Sequence, residues 1–191
     1  FANKNFTSFS SISLKNFDDL KTGNKRTKEY PDYGKRLEFV EVGNSDLIVS
    51  NKNYNIQKYS GYSQINLINK FKFKFLKNNL ISYNIYFSNS SNIPRYDRLI
   101  QYSDFFSPRY SEWYYGPQKF LMNKLKLTFF NVNKLYDALA INISNQIINE
   151  SRNDRKYQSN LLRSRTEKLN IYTVNLDFDK KFDDKNEIYY G

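Results

Sequence analysis

Arginine and aromatic side chains are the groups in this sequence best placed to do chemistry. Arg95 and Arg98 flank Tyr96-Asp97 in the run SSNIPRYDRL, and Trp113, Tyr114 and Tyr115 stand together in EWYYGPQK. Arg109, Arg152, Arg155, Arg163 and Arg165 follow in polar surroundings. A guanidinium binds carboxylate or phosphate through paired N–H donors. A Trp-Tyr-Tyr cluster offers flat faces to a ring-bearing ligand. The expected chemistry is therefore recognition, with Arg95, Tyr96, Asp97, Arg98, Trp113, Tyr114, Tyr115, Arg152 and Arg155 as ligand-binding candidates. A plainer reading stands beside it, in which the arginines pair with nearby carboxylates such as Asp97 and Asp154.

Catalysis finds no purchase. The sequence has no His and no Cys, so the usual general base, thiol nucleophile and transition-metal ligands are missing. Asp177, Asp179, Asp183 and Asp184 resemble a calcium loop only superficially, because its glycine turn and bidentate Glu are absent at the required spacing. No enzyme, metal site or cofactor is expected.

Composition points the same way. The formal charge of +11 first suggests nucleic acid. Lys, Asn, Ile and Tyr are all abundant, however, as an AT-rich coding sequence would make them. The arginines, Arg26 and Arg36 included, lie in or beside segments that read as loops, which implies a basic rim rather than a nucleic-acid module. No apolar run is long enough for a transmembrane helix. Membrane β-strands escape that test, and a mean hydropathy of −0.77 with 18% aromatic residues suits them.

The elements that would position these residues alternate with period two. In Leu80–Ser88, Ile81, Tyr83, Ile85 and Phe87 oppose Ser82, Asn84, Tyr86 and Ser88. In Phe120–Phe130, Leu121, Leu125, Leu127 and Phe129 oppose Lys124, Lys126 and Thr128. Such alternation marks strands with one apolar and one wet face. Ser63–Phe75, Asp137–Ile147 and Lys168–Lys180 repeat it, and Lys70, Lys72 and Lys74 oppose Phe71, Phe73 and Phe75. Asn5–Leu14 reads as a first strand, and Glu187–Gly191 starts another. No helix is expected.

Connections decide the architecture. Those near 77–79, 131–134 and 183–186 are short, while those at about 15–61, 89–119 and 149–166 are long. The first of the long loops carries a small hairpin, Leu37–Ser50. Strict alternation of short and long puts all turns at one end of an antiparallel sheet and all long loops at the other. Together with strands of ten residues or more, this describes an outer-membrane β-barrel, with apolar residues toward lipid and polar ones toward a lumen. The expected fold is all-β, an antiparallel transmembrane β-barrel segment of about seven strands forming one domain over residues 1–191. On this reading the aromatic cluster could equally be an interfacial girdle, and the arginines could bind lipopolysaccharide phosphates. A soluble β-sandwich using the apolar face as its core is the competing fold.

Four segments carry a family resemblance: SSNIPRYDRL (Ser90–Leu99), EWYYGPQK (Glu112–Lys119), NESRNDRK (Asn149–Lys156) and IYTVNLDF (Ile171–Phe178) before the closing YYG. In order and spacing they resemble the barrel of TonB-dependent outer-membrane receptors over Gly61–Gly191, and more weakly over Phe1–Ser60. The resemblance implies a Gram-negative outer-membrane importer of iron-siderophore, haem, a vitamin or a glycan. It also implies outer-membrane lipid and lipopolysaccharide as surroundings, and the TonB complex as a partner acting through a plug domain. That plug is not in this sequence, and such barrels have about 22 strands. The chain also opens on Phe1 and stops as a strand begins, so a fragment is expected. A passive porin-like or structural barrel, and a soluble basic all-β module for polysaccharide or nucleic acid, are the alternatives. Nucleic acid is not expected as a partner on the main reading.

Overall fold

Alternating side chains can sit on opposite faces only if the backbone is extended, and the long alternating runs form long strands. The structure, a computed structural model, describes residues 1–76, 79–103 and 106–191. In chain order the elements are β1 (Phe6–Phe17), β2 (Glu38–Val42), β3 (Asp46–Ser50), β4 (Tyr62–Phe75), β5 (Asn79–Ser90) and β6 (Ile93–Pro94). There follow α1 (Tyr96–Leu99), β7 (Tyr110–Tyr115), β8 (Lys119–Phe130), β9 (Ala138–Lys156), β10 (Leu162–Lys181) and β11 (Glu187–Tyr190). The main sheet runs β1-β4-β5-β8-β9-β10-β11, every pair antiparallel, with β6 and β7 joined to it at one end. Neighbours in sequence are neighbours in space, as a meander requires. The sheet is open: among the described residues β1 and β11 do not pair with each other.

Register separates the two faces in the turn-side rows, whereas nearer the loops they mix, with Asn69, Asn123 and Asn145 on one face and Ile68, Tyr86, Met122 and Ile171 on the other. One continuous row reads Phe6, Phe73, Ile81, Leu127, Ile141 and Leu176, and the next Ser8, Phe71, Tyr83, Leu125, Ile143 and Val174. Among the described residues nothing buries these two rows. Ile12, Leu14, Tyr172 and Val174 are each about two-thirds exposed or more, and among the described residues Val40 is the only fully buried hydrophobic side chain. A sandwich would have hidden this face beneath a second sheet, but among the described residues the other sheet is the small β2–β3 hairpin, held against β7 and β9 at the loop end. The opposite face holds Lys72, Ser82, Lys126, Asn142 and Asn175 in a single row.

Two short turns at one end and the first long loop at the other lie where expected. Asn133 Oδ1 accepts the Leu135 and Tyr136 amides in the β8–β9 turn, and Asp183 Oδ1 accepts those of Lys185 and Asn186 in the β10–β11 turn. Asp183 thus has a turn-forming role. The short turn expected at 77–79 lies outside the described residues, apart from Asn79. At the other end the first long loop leaves β1 at Phe17 and returns at Gly61. Asp19 Oδ1 closes its neck by accepting the Ser60 and Gly61 amides at 2.8 and 3.1 Å. The predicted small hairpin inside it is β2–β3.

Three expectations need correction. The second basic segment, 149–166, is not a loop: β9 and β10 continue through it as a paired ribbon, leaving only a turn near 157–161. Arg152, Arg155, Arg163 and Arg165 therefore sit on strands. Beyond the apolar band both faces are wet, so the alternation that reveals a strand disappears while the backbone pairing persists. The 89–119 connection likewise contains strand β7, which takes in Trp113, Tyr114 and Tyr115. It also contains one helical turn, α1, where none was expected.

Candidate functional site

The loop end is where the predicted residues gather, and a β-bulge decides how they face. β7 runs into β8 along the same neighbour, β9, but three residues, Gly116 to Gln118, stand where two would fit. Tyr115 pairs with Arg152 and Lys119 with Asn149. The extra residue reverses side-chain parity. Odd-numbered residues of β8 lie on the apolar face, yet Trp113 and Tyr115 on β7 share the wet face with Asp154 and Arg152. A Cβ on Gly116 would overlap Ser151 Oγ, so a larger residue at the bulge requires that hydroxyl to rotate away.

Arg95, Asp97, Trp113 and Tyr115 form one cluster. β6 pairs with β7, and the Arg95 amide donates to the Trp113 carbonyl at 2.9 Å, placing the Arg95 side chain over the β7 aromatics. Its guanidinium carbon lies 4.9 Å from the Trp113 ring centre and 5.7 Å from that of Tyr115, and the two rings meet edge-to-face. The guanidinium donates to Asp97 Oδ1 and Oδ2 at 2.9 and 2.6 Å, and to Tyr115 Oη at 3.0 Å. The paired bonds to Arg95 hold the Asp97 carboxyl below the usual carboxylate range and push the Arg95 guanidinium still higher. Arg98 approaches the same carboxylate at 3.8 Å, and Tyr96 lies part-exposed on α1.

Arg155 belongs to a second node, built from distant parts of the chain. Its guanidinium grips Asp46 of β3 at 2.9 and 2.7 Å and meets Glu112 of β7 at 2.5 Å. Asp46 is buried and also accepts the Ser111 hydroxyl and the Gln158 amide, at 2.5 and 2.7 Å. Gln158 presents that amide from a left-handed backbone, φ 56°, an unfavoured state for a residue with a side chain. Burial alone would raise the Asp46 pKa, but the bonds from Arg155, Ser111 and Gln158 prevail and lower it. The node pins the β2–β3 hairpin against β7 and β9.

Between hairpin and β7 a cleft of about 290 Å³ opens, walled by Val40, Val42, Tyr59, Pro94, Leu99, Trp113 and Tyr114 with Asn92, Ser111 and Glu112 at its margins. The sequence candidates are thus divided. Trp113 and Tyr114 line the cleft, Arg95 and Arg155 are committed to carboxylates, and Arg152 faces Glu167 at 3.9 Å with both side chains more than half exposed. Arg163 pairs with Asp154 at 2.5 Å. The plainer reading of the arginines accounts for Arg95, Arg155 and Arg163. Asp46, Ser111 and Glu112 went unrecognised, and no local signal marks Asp46, whose GNSD context reads as a turn. Among the described residues no His, Cys, Asp and Glu cluster could hold a metal ion, and no helix is long and apolar enough to cross a membrane.

Comparison with family models, with curated proteins and with solved structures returns no match.

Proposed function

We propose that this chain is part of the barrel of a TonB-dependent outer-membrane transporter, which binds a scarce nutrient at its outer loops and imports it. One observation carries the membrane half of the reading. The strands carry apolar rows such as Phe73, Ile81, Leu127, Ile141 and Leu176 on a face that no described residue covers, backed by polar rows such as Lys72, Ser82, Lys126, Asn142 and Asn175. Water is a poor neighbour for so much aligned Ile, Leu, Val and Phe, and lipid a good one. The open edges at β1 and along β10 are of the kind that a closed barrel pairs with further strands. The sequence resemblance supports the transporter half. With Arg95 and Arg155 engaged internally, ligand contact at the loop end falls to the cleft beside Trp113 and Tyr114 rather than to an arginine rim.

In this reading ligand capture precedes an energy-driven rearrangement of the plug, and no bond in the cargo is made or broken. The test is made on the protein extracted from its membranes and reconstituted in planar bilayers. A transporter closed by a plug gives no steady open conductance, and it drives nutrient uptake only in energised cells. A steady ohmic conductance would favour the passive porin-like barrel. A protein that stays soluble without detergent would overturn both.

A further inference from the structure

We propose that the wet face of the sheet carries an anion-binding seat made by Lys72, Ser82 and Lys126, repeated along the strands by Lys70, Asn84 and Lys124. The register places them. Lys72 pairs with Ser82 across β4 and β5, and Ser82 with Lys126 across β5 and β8; Lys70, Asn84 and Lys124 align in the same way. Each row is therefore cation, polar donor, cation on one face. Adjacent strands lie about 4.8 Å apart, so the two lysines of a row are rooted about 10 Å from each other. Two four-carbon stems close that gap from either side. An anion resting over β5 meets an ammonium on each flank and a hydroxyl or amide N–H beneath it.

Among the described residues no ion pair within 4 Å engages these lysines. Lysine ion pairs among the described residues involve Lys35, Lys58 and Lys180, and none of these four. Lys70 has a Tyr86 ring 5.7 Å away as its neighbour. Of the carboxylates on this face, Asp177 on β10 lies nearest in height; it lines the same hollow as Lys124 and Lys126 and accepts from the Asn142 amide at 2.9 Å. Compositional excess would scatter lysine over every strand. Yet the wet positions at this height on β5 are Ser82, Asn84 and Tyr86, and on β9 they are Asn142, Ser144 and Gln146. At the height of these two rows lysine stands only on β4 and β8, the strands on either side of β5. Same-strand lysines two residues apart are about 7 Å from each other and repel, and a shared anion removes that repulsion. The ligand class is a small phosphate- or carboxylate-bearing solute, held weakly and in a salt-sensitive way because the seat is open to water.

The face is polar whether or not the other meets lipid, so this inference stands or falls apart from the transport reading. Equilibrium dialysis with labelled inorganic phosphate, on the protein in phosphate-free non-ionic detergent, tests it. Saturable binding that fades with added salt is expected. Lys72→Gln with Lys126→Gln weakens it about tenfold, since two exposed charge contacts are lost. The paired arginine substitutions retain it, and Lys15→Gln, on the wet face of β1, leaves it unchanged. Lys70→Gln with Lys124→Gln provides a second pair should the first fail to fold. Absence of phosphate binding in the wild type, or an equal loss with Lys15→Gln, overturns the proposal.

Discussion

Replacing Ile143 by arginine separates the lipid reading from the soluble one, because the two predict opposite results at the same atom. Ile143 is flanked on its face of β9 by Leu139 and Ile141 toward the turns and, beyond Asn145, by Ile147 toward the loops. Leu139 to Ile147 extends about 27 Å along the strand, or about 21 Å of height at a tilt near 40°, close to the ~25 Å apolar band of a membrane barrel. Ile143 then sits near the bilayer midplane, where an arginine on the lipid face costs roughly 2–4 kcal/mol. In water the side chain is already 43% exposed, and an arginine there would change stability by no more than about 0.5 kcal/mol. Ser13→Lys, on the wet face of β1 opposite Asn66, is the internal control and should be near neutral in either setting. The assay is reversible urea unfolding in phospholipid vesicles, followed by Trp113 emission, since Trp113 is the sole tryptophan. A loss of 2 kcal/mol or more for Ile143→Arg, with Ser13→Lys silent, is expected. Equal, small effects of both would refute the placement of this face in lipid.

Asp46→Asn leaves Arg155 short of its principal partner in a buried node, which costs roughly 3–5 kcal/mol; hydrogen exchange should speed up across β2–β3 while the β4–β5 amides stay protected. Because the Asp46 pKa is lower folded than unfolded, its stabilisation is fully present above the ordinary carboxylate range, about pH 4. It is lost as pH falls through the lower folded value, so the hairpin should loosen only in that acid window, by the same exchange measurement. Gly116→Ala should destabilise the β7–β8 bulge by about 1–2 kcal/mol, and adding Ser151→Ala should restore part of it, because the clash is with that hydroxyl. Arg95→Lys keeps the charge but loses the paired bonds to Asp97 and the flat contact with Trp113; a shift in Trp113 emission and about 1 kcal/mol of destabilisation are expected, whereas Arg165→Lys should leave the emission unchanged.

What could be read from the sequence follows from which forces leave a local trace. Period-two alternation from Ile81 to Phe87 and from Leu121 to Phe129 is written by two unlike solvents on the two faces, so the spanning strands, their order and their parity were legible. Above that band both faces are wet, and NESRNDRK looks like a loop although Arg152 and Asp154 sit in a regular ladder opposite Arg165 and Arg163. The arginines were visible as residues but not as partners. Arg95 finds Asp97 two positions away, which sequence can suggest, whereas Arg155 finds Asp46 across 109 positions, which it cannot. The bulge at Gly116 shows the cost of that blindness most clearly. One extra residue turns Trp113 and Tyr115 to the wet face and Tyr114 and Glu112 to the other, so three adjacent aromatics that read as a single platform serve two surfaces. Trp113 and Tyr115 brace Arg95, while the Tyr114 side closes the cleft under the hairpin. Deleting Gln118 leaves two residues opposite two, so Tyr115 still pairs with Arg152 and Lys119 with Asn149, and Trp113 and Tyr115 keep their face without a bulge. The Trp113 emission and the slow exchange in β2–β3 should therefore both survive that deletion. Deleting Pro117 and Gln118 together leaves one residue opposite two and exchanges the faces, so emission and exchange should then change together; loss of both signals on deleting Gln118 alone would refute the register argument.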